Sequence, residues 1–314
     1  MSEEDITKDT EESSTEDIDI YFSQSRLTLA LNCFGKYYFK YKQNIKLPST
    51  IWPATLFGKV NHKVIENFLN ELKNSEAFKK EVLKIQNNNT SKLINSYLED
   101  NFQKSYQEYF EEINDKSNEK EKFRASRDFN KTRDLKDGSK WSVKTNNFII
   151  RYAALSENSI AEQKFTDIVI GPRGKKIKTT AYVDLIPDRQ KHHIYDFKNT
   201  KKPQKYFFVD WDNDLQSVIY LYLYYKTFNQ FPEQFGYLVF SFQEEMILAT
   251  SRRVIENEFQ FITDMYNKSI SRIEKVHEIC EDTSLWFAEK DKCRWCEFNK
   301  KKWCEKGFNL LKKK

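Results

Sequence analysis

Between residues 161 and 198 the hydrophobic pattern leaves the helical period and takes up the period of two that marks strands. Residues 161–170 alternate in part, Gly171-Pro172-Arg173-Gly174 makes a turn, and residues 177–186 read as the return strand. Residues 192–197 read as a third, short strand. Helical patterns stand on both sides of this block. Ser23-Gln24-Ser25 caps a first helix, residues 56–72 carry an apolar stripe (Phe57, Val60, Val64, Ile65, Phe68), and residues 75–112 continue as helix with a break near 87–89. Residues 113–140 are polar and read as a loose loop, and residues 141–155 resume a helix. After the strands come a buried helix at 215–228, strands at 234–243 and 246–249, and an amphipathic helix at 252–279. This order predicts an α/β fold, a small mixed sheet flanked by helices, with a helical insertion at about 73–140.

Charge divides the chain unevenly. Residues 1–20 hold nine acidic groups and one lysine and lack apolar periodicity, which predicts a disordered acidic tail and a single folded domain over 21–314. The remainder holds 51 basic against 38 acidic residues, a basic body suited to a polyanionic partner. With only seven glycines and no GxGxxG or GxxxxGK[ST], the chain carries no nucleotide-driven motor motif. The longest apolar run, at 218–225, is too short to span a bilayer, so no membrane partner is expected. The acidic N-terminus lacks the apolar core of a secretory signal, and a cytoplasmic location is expected.

The chemistry concentrates on two strand ends. Asp196 and Lys198 are two apart, so they share a strand face while Phe197 points into the core. If the strands pair across residues 187–191, Asp184 approaches Asp196 and two carboxylates make a hard oxygen site for Mg²⁺ or Mn²⁺. Lys198 beside such a site can stabilise charge developing on phosphorus. Gln216 and Tyr220 are four apart and share a helix face. His62 on the early helix and Glu162 at a strand start are further candidates, each equally compatible with a plain structural role.

A second group is sulfur. Cys293, Cys296 and Cys304 fall within twelve positions, a strong metal or cluster signal that needs a fourth thiolate. Spacing leaves both Cys33 and Cys280 open as that ligand, and both Zn²⁺ and an iron–sulfur cluster as the occupant. Lysines interleaved with aromatics, Lys201, Lys202 and Lys205 before Tyr206-Phe207-Phe208, can hold phosphates and stack unpaired bases.

The ordered set resembles the RecB-like branch of the PD-(D/E)XK nuclease superfamily. The matching residues are Gly58 with His62, Glu162, Asp184, Asp196 with Lys198, and Gln216 with Tyr220; Ala181 stands where the family has the Gly of Gly-x-x-Asp. The resemblance implies a restriction-endonuclease-like core and a Mg²⁺- or Mn²⁺-dependent deoxyribonuclease. It implies Asp184, Asp196 and His62 at the metal, Lys198, Glu162, Gln216 and Tyr220 as further site residues, and Lys201, Lys202 and Lys205 on DNA. Iron–sulfur nucleases of this branch, such as the AddB nuclease domain and the CRISPR adaptation nucleases, place one Cys before the core and three after it. By that likeness Cys33 joins Cys293, Cys296 and Cys304 around a 4Fe–4S cluster, with the region 280–306 forming the cluster lobe and Zn²⁺ as the rival. The expected role is an exonuclease or end-processing enzyme on single-stranded or open-ended DNA in recombination, repair, replication or CRISPR-type adaptation, with any helicase a separate chain. The rival expectation is a catalytically silent nuclease-fold protein that binds DNA or scaffolds a complex.

Overall fold

The computed structural model describes residues 17–45, 53–114, 140–187, 192–200, 202–241, 246–254 and 258–286, with Cys293, Cys296, Phe298 and Cys304. The greater part of the acidic tail, the 115–139 segment, Lys201 and most of the C-terminal lobe lie outside the described residues.

Six strands form one mixed sheet among the described residues. They are β1 (Ile20–Phe22), β2 (Ile160–Ile170), β3 (Lys176–Ile186), β4 (His193–Asn199), β5 (Gln234–Ser241) and β6 (Met246–Arg253). The β2–β3 hairpin pairs antiparallel along its whole length, from Ile160 opposite Ile186 to Ile170 opposite Lys176. Gly174 closes its turn at φ +81°, a left-handed conformation that costs glycine least. The buried Glu274 carboxylate accepts the Arg173 and Lys175 amides and ties that turn to the last long helix. The other edge of β3 is divided. β1 runs parallel to its first part, Ile20 opposite Ile177, and β4 runs antiparallel at its far end, Leu185 opposite Tyr195. β3 thus forks, and the gap between β1 and β4 opens beside Asp184. β5 continues parallel to β4, and β6 returns antiparallel to β5.

Helices cover both faces. On one face lie α3 (Pro53–Asn74), α4 (Glu76–Gln86), α5 (Lys92–Asn114) and α6 (Trp141–Tyr152). Their apolar stripes bury Phe57, Val60, Phe68, Leu98 and Ile149 against Leu185, Phe197, Leu238 and Phe240 of the sheet. Each ring of this core stabilises by about 1.5–3 kcal/mol through burial. Phe57 stacks on Phe102 at 6.3 Å and meets Trp141 at 5.8 Å, which fixes α3 over the site. On the opposite face, α1 (Gln24–Asn32), α2 (Phe34–Tyr37), α7 (Leu215–Phe228) and α8 (Phe259–Ile279) pack on Ile177, Val183, Ile194 and Val239. Among the described residues no helix is long and apolar enough to cross a membrane.

Several boundaries differ from the sequence expectation. Asp17–Ile20, assigned to the tail, is described and enters the sheet at Ile20; Asp19 accepts the Lys176 amide. Three residues carry too little periodicity to announce a strand. The aromatic run after α2 winds as a π turn at Tyr38–Lys42. Residues 250–253 were expected to lie beyond the last strand and partly within a helix, but they belong to β6, because Arg252 and Arg253 pair with Phe235 and Gln234, and α8 begins only at Phe259.

Candidate active site and thiol cluster

Asp184 and Asp196 follow from the β3–β4 register. Leu185 faces Tyr195, so the two aspartates are the next opposed positions. Both carboxylates are buried, and Asp184 Oδ2 accepts the Phe197 amide at 2.5 Å. Across the hairpin, Glu162 stands between Ala161 and Gln163, whose partners Leu185 and Val183 flank Asp184. Glu162 adopts φ +54°, a left-handed conformation that costs a non-glycine residue of order 1–3 kcal/mol. The distortion turns its carboxylate onto His62 of α3. His62 Nδ1 hydrogen-bonds Glu162 Oε1 and lies 3.6 Å from Asp184 Oδ1.

These three residues place a nitrogen and two oxygens within 4.8 Å of one another. Hard divalent ions take such ligands at about 2.0–2.6 Å, so donors around one ion lie at most about 5 Å apart. The set therefore fits a divalent cation. The expected metal set was His62, Asp184 and Asp196. In the structure Glu162 completes the close group, while the oxygens of Asp196 are engaged on the side facing α7. Asp196 Oδ2 is 2.6 Å from Lys198 Nζ, and Asp196 Oδ1 accepts Gln216 Nε2 at 2.5 Å. Lys198 also donates to Gln216 Oε1 at 2.6 Å, and Gln216 Nε2 lies 3.0 Å from the Tyr220 hydroxyl. One amide thus spans the ion pair, orienting both ends.

The electrostatics suit a site awaiting positive charge. Burial, then the Asp196 charge, raises the Asp184 carboxyl to about 8 against the opposing pull of His62. Burial likewise raises Asp196, with Lys198 opposing. Burial disfavours the His62 imidazolium, but Asp184 and Glu162 outweigh it and hold the group up to about 9. Both the Asp184 and the His62 groups hold protons more tightly folded than unfolded. Their stabilising contribution is full at low pH and disappears as pH rises through 8 and 9. The thermal midpoint of chelator-treated protein is thus expected to fall between pH 6 and 9. Added Mn²⁺ is expected to restore it most strongly at the alkaline end, with proton release on binding. A pH-independent midpoint with no Mn²⁺ effect would contradict the assignment.

A cavity of about 550 Å³ opens on this centre, lined by His62, Glu162, Phe197, Lys198 and Asn199. Its outer wall includes Lys59, Lys63 and Tyr109, which the sequence reading missed. The signal was present: Lys59, His62, Lys63 and Glu66 recur at the spacing of one helix face, opposite the apolar stripe. Gly58 lines the same cavity, where an added Cβ would only reach ordinary contact with Asn199 at 3.7 Å. Of the expected DNA-binding lysines, Lys202 and Lys205 are exposed, and Lys201 lies outside the described residues. Lys205 lies over Tyr206 at 4.7 Å, and Tyr206 meets Tyr237, over which Lys198 lies at 5.0 Å.

The cysteines divide. Cys33 joins α1 to α2 and accepts the Lys36 amide at 3.4 Å. Burial raises its thiol, and the neighbouring Cys296, Cys304 and Cys293 raise it further. Four thiols therefore share one neighbourhood, where Phe39 also stacks on Phe298 at 5.3 Å. Burial also raises Cys280, but the charges around it are Lys42 and Glu281, and its Sγ faces the His277 carbonyl at 3.4 Å. The neighbouring charges thus associate Cys33, rather than Cys280, with the tail triplet. Among the described residues no three of these thiols stand within 4.8 Å of one another, so the sulfur atoms do not form a closed single-metal site.

No curated protein matches the chain in sequence. A solved structure described as "Crystal structure of SSO0001" aligns over 87% of this chain and 92% of its own length. It shares 12% identity at a TM-score of 0.31, too distant to carry an argument. The family comparison reaches much further. Strands β2 to β6 and the carboxylate–lysine pair at the fork lie inside the 21–305 span matched by one family model, and the chain belongs to the PD-(D/E)XK nuclease superfamily.

Proposed function

We propose that the protein is a Mg²⁺- or Mn²⁺-dependent deoxyribonuclease of the RecB-like branch that processes single-stranded or open-ended DNA. The observation that carries this reading is the close set His62, Glu162 and Asp184 beside the Asp196–Lys198 pair. A bound divalent ion supplies Lewis acidity toward a phosphoryl oxygen and a water of lowered pKa. His62, Glu162 and Asp184 would hold it, with Asp196 opposite Asp184 completing the negative field. Lys198, fixed by Gln216 and Asp196, presents a cation to charge developing on phosphorus. Tyr220 anchors Gln216 and thereby the geometry of that pair.

Preference for unpaired DNA rests on the loop after β4. Phe207 is exposed and Phe208 is 93% exposed, next to Lys202 and Lys205. Apolar rings held in water beside cations are suited to stacking on unpaired bases. At Cys33, Cys293, Cys296 and Cys304 we assign a 4Fe–4S cluster, supported by the order of one cysteine before β2 and three after α8 and by the electrostatic influence of the tail thiols on Cys33. Digestion of 5′- and 3′-labelled single- and double-stranded DNA with Mn²⁺ tests the substrate. Progressive shortening of single strands from one end is expected. Cleavage restricted to RNA, or internal cuts in duplex DNA alone, would contradict it.

A further inference from the structure

The open face of the β2–β3 hairpin leads directly into the catalytic fork. On this stretch the odd-numbered residues of β3, Ile177 to Val183, are buried in the core beneath α7 and α8. The even-numbered positions point the other way. Across the register Lys164 faces Tyr182, Thr166 faces Thr180, and Ile168 faces Lys178, with Tyr21 of β1 beside Lys178. The α3–α6 layer takes up its sheet contacts from Leu185 onward, so the hairpin before that point stands open. Tyr21 and Tyr182 are each 51% exposed, and Lys164 and Thr166 are exposed with them. No acidic residue occupies this even-numbered series until Glu162 and Asp184.

At the fork the face deepens into a cavity of about 500 Å³ whose walls include Tyr21, Arg26, Thr180, Tyr182, Asp184 and Gln216. Arg26 is held by the Tyr21 carbonyl at 3.0 Å and by stacking on Tyr41 at 4.4 Å, and no carboxylate among the described residues pairs with it. Lys178 to Asp184 spans about 20 Å at the usual strand rise. A lysine with a neighbouring tyrosine stands at each end of that hairpin face, Lys178 with Tyr21 and Lys164 with Tyr182, with Thr166 and Thr180 between them and the buried Asp184 beyond.

Resting on the reading of the site as a nuclease, the geometry points to this sheet face as the track that delivers single-stranded DNA to the fork. Lys164, Lys178 and Arg26 contact phosphates, and Tyr21 and Tyr182 stack on bases. The track is separate from the cavity beneath α3, so the scissile phosphate lies between the two. Exposed rings beside cations are the composition of platforms that bind unpaired strands without reading sequence.

The test is fluorescence anisotropy of a labelled 12-nucleotide single strand on the full chain in chelator, over a range of salt. Lys164→Gln with Lys178→Gln is expected to weaken binding about tenfold. It should also flatten the slope of log affinity against log salt by about 1.4, at about 0.7 per phosphate contact on single strands. Tyr182→Ala is expected to weaken binding about tenfold with the slope unaltered, because it removes stacking and not charge. A merely misfolded variant would not separate these two signatures. If the wild-type chain cleaves DNA while both variants bind it as the wild type does, the track is wrong and the nuclease reading stands. If both variants instead change a monomer–dimer equilibrium and leave DNA affinity alone, the face is a self-association surface and the inference fails. A wild-type chain that neither binds nor cleaves DNA overturns both.

Discussion

Asp184→Asn is expected to lower DNA cleavage by about 10³-fold or more while leaving the metal-free fold intact. The asymmetry comes from where Asp184 sits. Burial and the facing Asp196 keep its carboxyl protonated up to about pH 8, so an amide replaces a group that is already largely neutral. The asparagine can still accept the Phe197 amide at the same position. What it cannot supply is the negative charge that draws a divalent ion between Glu162 and His62. Loss of electrostatic stabilisation at a single preorganised group commonly costs two to three orders of magnitude, and loss of the ion costs more. Thermal melting in chelator should therefore place the variant at or above the wild type above pH 8, where the carboxylate repulsion it removes develops. With Mn²⁺ present the order should reverse, because only the wild type gains from binding. Equal cleavage rates, or a variant that loses its fold in chelator, would contradict the role assigned to Asp184.

Cys33→Ser is expected to have the largest effect on stability. Cys33 lies between β1 and the other five strands and Cys293 after them all, with 259 residues between the two cysteines. A group bound by both closes that loop, and the chain-entropy estimate for a cross-link of this length is about 5 kcal/mol. For a chain of this size that corresponds to roughly 8 °C in thermal midpoint. Serine leaves three thiolates and an incomplete coordination shell, so the bound group should be lost with the cross-link. The wild type purified without oxygen should be brown and carry iron and sulfide, and the variant should be colourless. Cys280→Ser, at a thiol surrounded by Lys42 and Glu281, should keep the colour. A colourless wild type with stoichiometric zinc would replace the cluster by zinc without changing the ligands. Retention of iron by Cys33→Ser would overturn the ligand set itself.

Much of the architecture is legible in the chain because its local signals agree. The Gly-Pro-Arg-Gly turn between two alternating runs specifies the β2–β3 hairpin, and the apolar stripe from Phe57 to Phe68 specifies α3 and its buried face. The proximity of Asp184 and Asp196 follows from the short β3–β4 connection. Less accessible are features created by pairing between distant segments. β1 is three residues long and exists because β3 offers it an edge. Arg252 and Arg253 look helical by local pattern and become strand because β5 lies beside them. Glu162 reads equally as a ligand or a solvated strand end until its left-handed backbone and its bond to His62 are seen. The engagement of Asp196 and Lys198 by Gln216 depends on α7 packing over the fork, which no spacing within β4 encodes.

The central claim is that His62, Glu162 and Asp184 bind the ion that makes this fold a nuclease. The most direct measurement strips the protein with chelator and follows cleavage of a labelled single-stranded oligonucleotide as Mn²⁺ is returned, in wild type and Asp184→Asn side by side. Cleavage absent in chelator and restored saturably in the wild type alone is the predicted result. Undiminished cleavage in chelator, or identical Mn²⁺ curves for the two chains, would contradict it.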